Sequence, residues 1–156
     1  MIESVQHGVI NLFAVEQNIL RGGQPTAEGW SWLKSEGITD VIKLDTEGES
    51  SDAIAGSMGM TVHRFPIPWW QQVLLRPPQS LLVAAVACIK GNMFIHCEHG
   101  QDRTGLIVGC FRLSQGWTKS DAYAEMLEHG FHENLLGGLK GRWNTQNPDD
   151  WKVKSA

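Results

Sequence analysis

The residues best suited to chemistry form one run of ten, His96-Cys97-Glu98-His99-Gly100-Gln101-Asp102-Arg103-Thr104-Gly105. It holds a cysteine and an arginine with five residues between them. Residues 92–95 before it read as an apolar strand, and residues 106–113 after it as an apolar helix. A turn at such a junction can close into a ring of backbone N–H groups around an oxyanion, at the positive end of the helix. Cys97 would then lie under a bound phosphate and Arg103 would reach back over it, which suits attack of sulfur on phosphorus.

The residue types fit that chemistry. A free cysteine titrates near ~8.5, and a helix N-terminus with neighbouring donors lowers such a group by several units. A thiolate that attacks phosphate forms a thiophosphate, which water then hydrolyses. Arg103 offers a planar fork of donors for two phosphate oxygens, which a lysine could not match. Donors already in place stabilise the charge that grows on those oxygens in the transition state. Thr104 is placed to donate its hydroxyl to the sulfur and make it a better leaving group. His96 is expected to orient the loop and stabilise the thiolate. Glu98, His99, Gly100 and Gln101 would line the substrate, Gly100 permitting the tight turn and Gly105 a close helix approach.

The pattern His-Cys-x-x-Gly-x-x-Arg-Thr-Gly resembles the signature of the cysteine-dependent protein tyrosine phosphatase superfamily, with the small dual-specificity branch most similar in size and order. Arg21-Gly22-Gly23-Gln24-Pro25 resembles an entry segment of small bacterial and fungal members. Glu125-Met126 followed by Gly130-Phe131-His132 resembles the segment beyond their catalytic helix. The resemblance spans residues 9–135. It implies an α/β fold and a metal-independent, cofactor-free phosphomonoesterase working through a cysteinyl-phosphate intermediate.

One departure concerns the general acid. Members of the superfamily usually carry an aspartate on a mobile loop upstream of the cysteine, which protonates the leaving oxygen. Here that region reads Phe65-Pro66-Ile67-Pro68-Trp69-Trp70-Gln71-Gln72, and no Asp or Glu occurs between Asp52 and Cys97. Asp102 inside the loop resembles the in-loop acid proposed for myotubularin-like and Sac-type lipid phosphatases; alternatively it orients the loop. Asp45, Glu47 and Glu49 follow a strand whose C-terminal end should face the same crevice. A third possibility is an enzyme with no strong acid. A phenol, with a pKa of about 10, leaves more easily than an alkoxide, so weak acid assistance favours aryl phosphates such as phosphotyrosine. Glu98 and Asp102 add negative charge where phosphoinositide phosphatases of the superfamily carry lysines, which places inositol (poly)phosphates second. A module that binds phosphorylated partners without turnover is the reading from another class. Trp69 and Trp70 would form a wall against a substrate ring or a plug over the sheet edge. Gln71 or Gln72 could position the water, and Arg21 is expected to pair with a carboxylate that holds the loop.

The elements that must position these groups alternate. Strands are expected at residues 9–15, 18–21, 38–44, 60–65 and 92–95. Helices are expected from Thr26, capped by its hydroxyl and ended by Gly37; from Pro77-Pro78 to Ile89; over 103–114; and from Thr118 or Ser120 to His129. Residues 47–57 read as a short helix or loop, Pro66 to Pro68 as an extended loop, and 137–156 as a tail that packs through Trp143 or Trp151 or frays. Such alternation predicts a central, mainly parallel sheet of four to five strands with helices on both faces. The 156 residues suit a single domain and one core. A net charge of −4 argues against a broad nucleic-acid surface. No run of ~18 apolar residues suggests a membrane span, and Met1-Ile2-Glu3-Ser4 does not read as a secretory leader. A cytoplasmic monomer is expected. Three cysteines cannot all pair, and none shows metal spacing. Cys88 and Cys110 read as core positions, with a regulatory disulfide to Cys97 open.

Overall fold

Alternation of side chains along short apolar strands sets the layers. In β5 (Asp40–Lys43), Val41 points to one face and Ile42 to the other. In β7 (Met93–His96), Phe94 joins Val41 while Met93 and Ile95 join Ile42. Both strands are buried on both faces, as the interior strands of a parallel sheet must be. The computed structural model describes residues 4–134 and 137–152. Its sheet runs in the order β3 (Phe13–Glu16), β4 (Ile19–Gly22), β7, β5, β6 (Thr61–Arg64). β3 is antiparallel to β4, and every other pairing is parallel. A small hairpin of β1 (Val5–Gln6) and β2 (Val9–Ile10) precedes it.

Helices α1 (Ala27–Ser35) and α2 (Glu49–Ser57) cover one face through Trp30, Leu33 and Ala55. The other face meets α4 (Gln79–Cys88), α5 (Arg103–Ser114), α6 (Lys119–Glu128) and α7 (Gly137–Asn144) through Leu82, Leu106, Met126 and Trp143. Each such side chain contributes roughly 1.5–3 kcal/mol on burial. Gly22 pairs with His96, His96 with Lys43 and Lys43 with Arg64, so the four parallel strands end on one row. The connections leaving that row open onto one crevice, where α/β sheets place their sites.

The strand–helix alternation, the central position of β7 and the Thr26 and Thr118 caps agree with the sequence reading. Three places differ. The strand expected over 9–15 breaks at Asn11, whose φ of 50° is left-handed and separates β2 from β3. The extended loop expected from Pro66 to Pro68 is present, but residues 69–73 after it form a helix that was not expected, α3 (Trp69–Val73). It forms because α7 seats it: a Cβ on Gly138 would lie 2.1 Å from the carbonyl oxygens of Gln71 and Leu75. The segment from 137, expected to pack through Trp143 or Trp151 or to fray, does pack through Trp143, which is buried in the core, but it forms helices, α7 and α8 (Pro148–Trp151); the Trp151 indole donates to Gln146. Residues 1–3 and 153–156, on which the readings of a missing leader and a fraying end partly rest, lie outside the described residues.

Candidate active site

Cys97 directly succeeds the last residue of β7, and Arg103 opens α5. Three contacts hold the intervening loop from the β4 side. Arg21 Nη2 donates to the Gly100 carbonyl at 3.0 Å, Asn11 Nδ2 to the His99 carbonyl at 2.8 Å, and the Gln24 N–H to the Glu98 carbonyl at 3.0 Å. With the carbonyls of 98, 99 and 100 held on that side, the turn is fixed at the N-terminus of α5, where backbone N–H groups can meet an oxyanion. Gly100 adopts φ +76° against the backbone of Gly22 and Gly23. Arg21 was expected to hold the loop through a carboxylate; its partner is a loop carbonyl instead. Burial pulls its guanidinium down to about 10, partly offset by the charges of Cys97 and Glu125.

Arg103 is buried and held from two sides: Nη1 donates to the Ile67 carbonyl at 2.9 Å and meets a Glu47 carboxylate oxygen at 3.2 Å. Glu98 lies 3.8 Å from Nη2. Its Nε is buried with no hydrogen-bond partner among the described residues. The guanidinium is thus fixed in orientation with donor capacity left over, which an oxyanion could use.

Beneath the loop lies a network that the sequence reading missed. Lys43 is buried between Asp45 and Asp52, 2.7 Å from the latter, and also donates to the Glu47 carbonyl. The other Asp52 oxygen meets His96 Nε2 at 2.8 Å, and Gln24 donates to Asp52 at 3.0 Å. His96 Nδ1 lies 3.3 Å from the Cys97 carbonyl. Burial alone would lower the Lys43 ammonium, yet its two carboxylates raise it. Burial alone would raise Asp52, yet His96, Lys43 and Gln24 hold it below the usual carboxylate range. Asp45 is pushed up by burial, more than Lys43 returns, and its Oδ2 is buried without a partner among the described residues. The signal was available: a lysine inside an apolar strand requires buried partners.

The expected site residues separate into groups. Cys97, Arg103, Thr104, Gly100 and Gln101 are buried around the loop, while Glu98 and His99 stand half-exposed at its rim and 3.8 Å apart. His96, expected to orient the loop and stabilise the thiolate, contacts the Cys97 carbonyl and Asp52. The Thr104 hydroxyl, expected on the sulfur, is buried with no partner among the described residues. Gln101, expected at the substrate, packs its amide where a Cβ on Gly130 would lie 2.5 Å away. Gly105 has ordinary space at its Cβ position; close helix contact falls at Gly109, against Met126 and Trp143. Asp102, the expected in-loop acid, accepts from the His132 N–H at 2.8 Å and has both oxygens 3.0 Å from Nδ1 of that ring. Glu49 pairs with Arg64 on the surface. Trp69 and Trp70 are exposed just beyond Ile67. Cys88, Cys97 and Cys110 are free thiols, and burial raises Cys110 well above the ordinary thiol range.

A mainly parallel sheet whose central strand runs into a Cys-x5-Arg loop at a helix N-terminus is the framework of small cysteine-dependent phosphatases. The family model described as "DSP-PTPase phosphatase fused to NAD+ Kinase" matches residues 10–137, and the chain belongs to that family. It is similar to Inositol diphosphatase DSP4 of Arabidopsis thaliana, 30% identical over 122 residues that cover 74% of this chain and 62% of that protein. Dual specificity protein phosphatase TpbA of Pseudomonas aeruginosa is 28% identical over 127 residues, covering 78% and 56%. The chain spans 60%, 62% and 49% of the lengths of three curated relatives, two of them inositol diphosphatases and the third named "Putative tyrosine-protein phosphatase OCA1" of Yarrowia lipolytica. Among solved structures, TpbA superposes with a TM-score of 0.77 at 20% identity, covering 96% of this chain and 92% of that one. The core catalytic domain of the S. cerevisiae PP-IP phosphatase SIW14, solved with citrate, gives 0.74 at 20% identity, covering 90% and 87%. These likenesses establish the same fold.

Proposed function

We propose that the chain hydrolyses phosphomonoesters without a metal, through a cysteinyl phosphate on Cys97, and that its substrates are those whose leaving group needs no strong acid, aryl phosphates such as phosphotyrosine first. The observation that carries the second half is that three acids weighed for that role are paired with cations. Asp45 is bound to Lys43, Glu47 to Arg103 and Asp102 to His132. Glu47 and Asp102 are held by cations, while Asp45 keeps its Oδ2 without a partner among the described residues.

In this reading the Cys97 sulfur attacks phosphorus, the S–P bond forms as the ester P–O bond breaks, and the phenolate departs. Arg103, steadied by Glu47 and Ile67, and the loop N–H groups bind the equatorial oxygens. Water then attacks the thiophosphate and releases inorganic phosphate, with Thr104 donating to the returning sulfur once the loop is loaded. Asp102 clamps the loop to the segment after α6. The protein works as a monomer in the cytoplasm.

A second reading, hydrolysis of an inositol diphosphate, is favoured by the curated names of two relatives. Its leaving group is a phosphate, whose second pKa of about 6 also requires no acid. Against it stand Glu47 and Glu98 beside Arg103, which repel a dense polyanion.

The test compares p-nitrophenyl phosphate, a phosphotyrosine peptide, an alkyl phosphate and an inositol diphosphate. Cys97→Ser is expected to abolish turnover and keep oxyanion binding; activity near that of the unaltered protein would remove Cys97 as nucleophile. Asp102→Asn is expected to leave the aryl-to-alkyl rate ratio unchanged, whereas selective loss on the alkyl ester would make Asp102 the acid. No turnover of any ester by the unaltered protein would leave a phosphate-binding module.

A further inference from the structure

Among the described residues, the densest run of exposed large apolar side chains is α3 and the turn after it. Trp69, Trp70, Val73, Leu74 and Leu75 are between 41 and 73% exposed. Five of seven consecutive residues thus present large apolar side chains, together on the order of 500 Å², the size at which an apolar patch on a monomer is usually functional. Positions 69, 70, 73 and 74 have helical spacing and share one face. The patch borders the candidate active site, since Ile67, two residues before Trp69, accepts from Arg103.

Its charge is as one-sided as its polarity. Between Asp52 and Cys97 there is no acidic residue; Arg64 is paired with Glu49 and Lys90 lies 4.0 Å from Asp40, so the cation of this stretch beside the patch is Arg76. Arg76 is exposed and comes directly after Leu75. Helix α7, on which α3 rests, carries Lys140 and Arg142 and no acid. Adjacent indoles, projecting aliphatic side chains and a cationic border are what a phospholipid interface selects: indoles settle at headgroup depth, leucines enter the acyl boundary, and long basic side chains reach up to the phosphates.

We propose that α3 and residues 74–76 seat the protein on an anionic phospholipid surface, with the mouth of the Cys97 loop beside the membrane plane. This rests on the surface alone and stands or falls apart from the phosphatase reading. Among the described residues no helix is long and apolar enough to cross a bilayer, so the association is peripheral.

The test is co-sedimentation of the whole chain with vesicles of phosphatidylcholine alone and of phosphatidylcholine with phosphatidylglycerol. Partition onto the anionic vesicles is expected, weaker onto the zwitterionic ones, with lipids brominated in the chain quenching tryptophan emission. Leu74→Ser with Leu75→Ser is expected to lower partition at least tenfold, with melting temperature and p-nitrophenyl phosphate turnover in solution unchanged. The proposal is overturned if the unaltered protein neither partitions nor is quenched, or if the double variant partitions equally. It is also overturned if the protein ignores vesicles and dimerises through this face, the double variant being monomeric.

Discussion

Replacing Gly100 by alanine should disable the site while leaving the fold in place. A Cβ there would lie 2.3 Å from the Gly22 carbonyl carbon and 2.6 Å from both the Gly22 oxygen and the Gly23 nitrogen. Both neighbours are backbone, pinned by the pairing of β4 with β7, so the loop must give way. Restoring ordinary contact requires a shift of about 1 Å. The same shift stretches the bond from Arg21 to the Gly100 carbonyl, which is 3.0 Å long in the native loop. Misplacing aligned catalytic groups by that distance costs roughly 10²-fold in rate, about 2.7 kcal/mol of transition-state stabilisation. The left-handed φ adds ~1–2 kcal/mol of strain. Gly37→Ala is the control, because Gly37 has φ +87° with nothing within 4 Å of its Cβ position; it should carry the strain and keep full activity. The assay is kcat/KM on p-nitrophenyl phosphate, with inhibition by vanadate reporting the oxyanion cradle and thermal melting reporting the fold. A folded Gly100→Ala protein with kcat/KM within about threefold of the original would refute a cradle built on this close approach.

Arg103→Lys should cost on the order of 10² in kcat/KM although charge is kept, since one ammonium cannot hold Glu47, the Ile67 carbonyl and two phosphate oxygens together; steady-state kinetics would show it. Asp52→Asn should destabilise the protein by ~3–5 kcal/mol in urea titration, because Asp52 is fully buried and the change leaves Lys43 and His96 short of a carboxylate. The same group sets a pH dependence. A carboxyl held below its unfolded value of ~3.9 contributes stability fully above that pH, lost as pH falls through the native value. Asp45, raised by burial, acts with opposite sign, the native state gaining stability as it takes up its proton. Acid denaturation curves should therefore be steeper below pH ~4 in the unaltered protein than in Asp52→Asn.

Much of this molecule is readable along the chain because the signals are local. Helix caps at Thr26 and Thr118 act within three residues. The apolar run into Cys97 and out of Arg103 marks a buried strand and a buried helix, since only interior elements tolerate apolar residues on all sides. The five-residue spacing in the loop identifies the nucleophile candidate and its arginine without a structure. The expectations that moved were those depending on partners far away in sequence. Trp143 packs into the core as one reading had it, but the glycines of α7 seat α3 as a helix that the local sequence did not announce. Asn11 and Arg21 hold loop carbonyls 88 and 79 residues away. The acids show the same division. Composition announces that the usual acid position is empty, and only the fold commits Glu47 and Asp102 to Arg103 and His132, 56 and 30 residues away. Residue type and short spacing are properties of the covalent chain, so sequence alone decided what chemistry is available. Which carboxylate meets which cation depends on packing between strands and helices distant in the chain, and that only the tertiary structure decided.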